Sequence, residues 1–171
     1  MDSELSHESW PLSYFLTFTL YGHWLHGDER ESVDRLHAVF ETPRLSPNAA
    51  LREFEQDRAS TPAPLLTPEM RAVVTAAITE VCDVRSWLLH AVNVRTNHAH
   101  IVASGEAEPE TMMTTFKAYA TRALRRRGLI SGQQRMWTRH GSTKYVWTER
   151  DLQNVWEYVT NRQDDREFPP R

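Results

Sequence analysis

Two histidines one residue apart, His98 and His100, stand in Val92-Asn93-Val94-Arg95-Thr96-Asn97-His98-Ala99-His100-Ile101-Val102-Ala103. Apolar runs flank them, and an Arg-Thr-Asn turn separates the runs. In a strand, residues i and i+2 share a face, so both imidazoles project from one side of a sheet with Ala99 on the other. Two neutral imidazoles held this way can grip one divalent ion. The plainer alternative is a pair of exposed histidines on a solvated strand. Further on, Thr148-Glu149-Arg150-Asp151 reads as a capped helix start, with Thr148 as N-cap and Asp151 in a capping-box-like position. Leu152, Val155, Trp156 and Val159 recur at helical spacing and are expected to face the core. Tyr158 sits beside that stripe. Most such tyrosines only pack, but next to a His-x-His strand this one is a candidate nucleophile.

The Asn97-His98-Ala99-His100 segment, taken with Tyr158 in Glu157-Tyr158-Val159-Thr160-Asn161-Arg162-Gln163, resembles the single-tyrosine HUH transposases. These comprise the single-strand transposases of simple insertion sequences and the REP-associated tyrosine transposases. The likeness covers roughly 14–20 and 67–163, most of the chain. It implies a ferredoxin-like fold and cleavage and rejoining of single-stranded or hairpin DNA. It further implies a 5′-phosphotyrosine intermediate, Mg²⁺ or Mn²⁺ as cofactor, and a homodimer. A phenol of ordinary pKa near ~10 is a weak nucleophile at neutral pH, so such chemistry needs a polarising ion.

One position departs from that family. Its members commonly place Gln or Asn one turn after the tyrosine as a third ligand, and here Arg162 stands there. At about 100° per residue, Asn161 lies roughly 60° and Gln163 roughly 140° from Tyr158. Asn161 serves if the helix is regular, and Gln163 if its last turn loosens. Tyr119 is a competing nucleophile. Tyr145 reads as core, His90 as a packed or supporting histidine, and His140 as a loop residue within reach of a phosphate. Trp137 is placed to stack on bases, and Trp147 reads as buried.

The net charge of −3 hides an uneven distribution. From Met112 to Trp147 there are eight basic residues and no Asp or Glu, which leaves twelve basic against 23 acidic residues elsewhere. Local fields steer a polyanion more than the total does. Lys117, Arg122, Arg125, Arg126, Arg139 and Lys144 are therefore expected to contact DNA phosphates, which positions a strand without reading it. One cysteine, Cys82, excludes an internal disulfide. The polar start and the lack of a long apolar run point to a cytoplasmic protein without a membrane span.

Strands are expected at 13–21, 87–94, 98–103 and 144–147, and helices at 67–81, 110–127 and 149–161. The layout is α+β: a ferredoxin-like antiparallel sheet with helices packed on one face. One domain should occupy 1–163, with a long insertion at 22–67 carrying a short helix at 48–58, and a disordered tail at 164–171. A DNA strand transferase is the leading function. A domesticated, non-catalytic binder of structured single-stranded DNA or RNA and a metal-dependent hydrolase without covalent catalysis are the alternatives.

Overall fold

The computed structural model describes residues 10–23 and 65–161. The expected insertion helix, most of the insertion and the tail lie outside the described residues. Four strands form one sheet: β1 (Ser13–Thr19), β2 (Leu88–Val94), β3 (His98–Ser104) and β4 (Ser142–Val146). Three helices accompany them: α1 (Pro68–Arg85), α2 (Pro109–Arg126) and α3 (Glu149–Asn161). The sheet order is β2-β3-β1-β4 with every pair antiparallel. The β-α-β-β-α-β succession in that order is the ferredoxin-like arrangement, and α3 is added after it.

Local chemistry sets the boundaries. Thr67 caps α1 by accepting from the Met70 N–H, with Pro68 at the first turn and Glu69 beside it. Ser86 ends α1 in the left-handed region at φ 55°. Pro109 opens α2, and Gly128, at φ 68°, follows its end. Thr148 Oγ1 accepts from the Asp151 N–H and donates to the Asp151 carboxylate at 2.7 Å, which realises the predicted start of α3.

Alternation along β1 sends Tyr14, Leu16, Phe18 and Leu20 into the main core, where α1 and α2 bury Val74, Ile78, Met112 and Phe116 against them. The expectation of helices on one face holds for α1 and α2 but not for α3. On the second face Ala91, Val102 and Val146 form a small apolar patch, and Val155 and Val159 of α3 close over it. Each valine buried there is worth about 1.5–3 kcal/mol, so the hold on α3 is modest. Its stripe is also narrower than expected: Trp156 is 39 % exposed. Tyr145 and Trp147 are likewise not core, at 47 and 55 % exposed. They stack on each other at the β4 edge, with Tyr145 edge-on to Tyr14.

Candidate functional site

The face that α3 shares is the face of the histidines. His100 pairs with Thr17 on β1 and Asn93 on β2, and His98 pairs with Thr19. The two imidazole centroids lie 4.6 Å apart. Each ring is oriented through Nδ1. The Asn97 side-chain oxygen lies 2.7 Å from His98 Nδ1, and a carbonyl oxygen can only accept, so Nδ1 carries the proton and Nε2 the lone pair. Thr17 Oγ1 lies 2.7 Å from His100 Nδ1, which allows the same tautomer there. Asn97 and His100 are buried.

Electrostatics favour a neutral His100. Burial, then the neighbouring His98 and then Arg95 push the His100 pKa down to about 3. A neutral imidazole is the form that binds metal. Among the described residues no group of three His, Cys, Asp or Glu comes together. The two imidazoles are the metal-binding groups that the sheet brings together. Asn161, the last residue of α3, is exposed one turn beyond Tyr158. Gln163 lies outside the described residues. Two imidazoles, each held at Nδ1, suit a divalent ion with open positions for phosphate and water oxygens.

Tyr158 reaches this site within the same chain. Its ring centroid is 5.8 Å from that of His100 and 5.9 Å from that of Phe15, and Phe15 is in turn 5.5 Å from His100. Phe15 thus fills the floor between tyrosine and imidazole. The Tyr158 side chain keeps 43 % of its surface open. The Asn93 amide donates to the Val159 carbonyl at 3.0 Å, which ties the last turn of α3 to the histidine sheet. Thr17, Phe15 and Asn93 were not anticipated from sequence. Their roles come from cross-strand register, and only a correct pairing of β1 with β3 would have exposed them.

The competing residues fall elsewhere. Tyr119 is half-buried against the main core, under the Arg122 guanidinium 4.5 Å from its ring, on the α1–α2 face. It cannot share a phosphate with the histidines. His90 packs with Nε2 2.6 Å from Ser104 Oγ, whose hydroxyl donates to the Leu12 carbonyl. Trp137 is buried edge-on to Phe18 and donates to Thr121, leaving little of its surface open at the groove it lines. His140 is an exposed loop residue.

The expected DNA contacts divide between two faces. Arg122 and Arg125 line an open groove between α2 and the 134–138 segment, joined there by Arg135. Arg126 and Arg139 are exposed. Lys144 is opposite Phe15 in the β1–β4 register, so it belongs to the histidine face. Lys117 turns inward instead: its ammonium donates to the carbonyls of Thr138, Arg139 and His140 at 3.0, 3.3 and 3.1 Å. Burial pushes its pKa down to about 8, against a smaller upward pull from Glu110. It clips the loop before β4 from the edge of the groove that Arg122 and Arg125 line.

The described helices include none long and apolar enough to cross a membrane. No curated protein matches the chain. A REP-associated tyrosine transposase bound to a REP hairpin is similar at 13 % identity and a TM-score of 0.48, with 93 % of this chain and 70 % of that one covered. A Deinococcus radiodurans R1 protein provisionally assigned as a transposase is similar at 11 % identity and a TM-score of 0.50, with 95 and 98 % covered. That second likeness bears on the fold. The profile of the family described as transposase, IS200-like, matches residues 59–162, well over half of the sequence. The chain belongs to the IS200-like transposase family.

Proposed function

We propose that this chain cleaves and rejoins single-stranded DNA through a covalent bond between Tyr158 and a 5′-phosphate. The observation that carries this reading is the 5.8 Å separation of the Tyr158 and His100 rings within one chain. Family membership supports the reaction class.

His98 and His100 would hold a Mg²⁺ or Mn²⁺ ion, with Asn161 or Gln163 as the third protein ligand. Such an ion supplies Lewis-acid polarisation of the scissile phosphate and neutralises charge that develops there. Asn97 and Thr17 keep the rings turned toward it. The Tyr158 oxygen attacks phosphorus and loses its proton, and the bond from phosphorus to the 3′-oxygen breaks. That oxygen takes up a proton and leaves as a 3′-hydroxyl. One phosphoester replaces another, so rejoining by the reverse step needs no ATP. Phe15 holds the phenol against the sheet, while Lys144, Arg122 and Arg125 offer cations to the DNA backbone.

The test is a suicide assay. Protein, Mn²⁺ and an end-labelled DNA hairpin with single-stranded flanks are incubated and run on a denaturing gel. The expected result is a labelled covalent adduct that disappears in Tyr158→Phe and survives in Tyr119→Phe. Binding without adduct would instead support a non-catalytic binder. Cleavage that persists in Tyr158→Phe would support a hydrolase without covalent catalysis.

A further inference from the structure

Asn154 stands one helical turn before Tyr158, on the same flank of α3. Val155 and Val159 fix how the helix is turned, because both are buried against the sheet. The helix packs chiefly on β2 and β3, and the Asn93 amide of β2 donates to the Val159 carbonyl. Tyr158 points the other way, with its ring on Phe15 of β1. At about 100° per residue, Asn154 is roughly 40° from Tyr158 and leans further from the sheet. Phe15 is thus the floor beside the phenol and Asn154 the outer lip. Lys144 of β4, opposite Phe15, is exposed on the same side.

The charged and polar neighbours of Asn154 on α3 have their own partners. Asp151 accepts from the Thr148 hydroxyl at 2.7 Å, and Gln153 donates to Glu157 at 2.9 Å on the outer side of the helix. Asn154 itself is exposed. It is the sixth residue of α3, too deep to cap the helix, and asparagine is a weaker helix former than alanine or glutamine. Local helix preference does not account for an amide at this position.

The proposed reaction decides which nucleotide comes near it. The attacking phenol oxygen and the departing 3′-oxygen lie in line on opposite sides of phosphorus. The departing nucleotide therefore leaves away from α3. The nucleotide joined through its 5′-oxygen stays on the phosphorus that Tyr158 binds, and one turn of helix is only about 5.4 Å. An asparagine amide offers a donor and an acceptor side by side, which match N7 and the N6 amino group of adenine.

Resting on the proposed DNA chemistry, we infer that Asn154 reads the base of the nucleotide that becomes attached to Tyr158, and that this base is adenine. Asn154 is thus a specificity-determining residue, set on the same helix as the nucleophile.

The experiment uses single-stranded DNA of randomised sequence beside a hairpin, incubated with Mn²⁺ and wild type, Asn154→Ala or Asn154→Asp. Adducts are recovered, and the first nucleotide attached to the protein is sequenced. Wild type should favour adenine there by about 5- to 100-fold. Both variants should lose that preference and keep those at other positions, since alanine has no polar group and aspartate cannot donate to N7. The same base profile in wild type and Asn154→Ala would overturn the inference, and so would a wild-type preference for another base at this nucleotide. Absence of any adduct would defeat the tyrosine chemistry separately. Metal-free selection of the same pool by wild type and Asn154→Ala then decides: one adenine position retained only by wild type supports the reading by Asn154, and identical selected pools overturn it.

Discussion

The Asn93 side-chain amide donates to the Val159 carbonyl at 3.0 Å, and Asn93 is the β2 residue directly across from His100. One hydrogen bond therefore joins the strand pair that carries the imidazoles to the helical turn that carries Tyr158. The apolar patch beneath α3 is small, so this link bears on where the phenol points. Asn93→Ala should cost about 0.5–1.5 kcal/mol of stability. A nucleophile displaced by about 1 Å can lose on the order of 100-fold in rate. Adduct formation should therefore fall about 10- to 100-fold while Mn²⁺ affinity stays within twofold. Single-turnover adduct kinetics with parallel calorimetry measures both.

Asn97 and Thr17 act on the opposite side of the site. Each meets an Nδ1 at 2.7 Å and so restrains the orientation of that ring. Asn97→Ala and Thr17→Val should each weaken Mn²⁺ binding by about 10- to 100-fold. Saturating Mn²⁺ should restore most of the adduct. Titration of Mn²⁺ against adduct yield checks this, and a deficit that high Mn²⁺ fails to repair would count against a role through the metal.

The buried imidazole also imposes a pH dependence. The folded His100 pKa, about 3, is below its ordinary 6.5, so between those values the unfolded chain binds more protons than the folded one. Stability of the metal-free protein should thus rise with pH from about 3 to 6.5 and then level off. The contribution is at most about 1.4 kcal/mol per pH unit. Urea melts across that range, compared with His100→Asn, isolate it: the variant should show the shallower dependence.

Lys117 and Arg122 are both basic residues of α2, yet they face different partners. Lys117→Ala removes the donor to three carbonyls, and about 1–3 kcal/mol of stability should go with it. The salt dependence of DNA binding should stay unchanged. Arg122→Gln should do the reverse, lowering the salt slope with little change in melting temperature. Thermal melts and salt titrations on the pair distinguish a clip from a contact.

Much of this site could be read from the chain because its main signals are local. Period two put both imidazoles on one face, and the capped 149–161 segment put Tyr158 on a helix, as the structure has them. Residues that act across the chain stayed hidden. Thr17 meets His100 over a separation of 83 residues, and Asn93 meets Val159 over 66. Lys117 shows the limit of charge counting: composition locates a cation but not the direction it faces. Trp156 falls at the helical spacing of the core stripe and Trp147 reads as buried, yet both are exposed. The second face of the sheet offers Ala91, Val102 and Val146 with part of Phe15, and Val155, Val159 and part of Leu152 cover them. The α3 placement itself turned on which face had apolar surface left over, a property of the assembled sheet.

The most direct measurement of the account is complementation between two inactive variants, Tyr158→Phe and the double variant His98→Ala/His100→Ala. Tyrosine and histidines converge within a single chain, so no mixture of the two should form adduct with labelled DNA and Mn²⁺, while wild type does. Adduct restored on mixing, with the phosphotyrosine on the histidine-free chain, would mean that the phenol is used across subunits, contradicting the single-chain site.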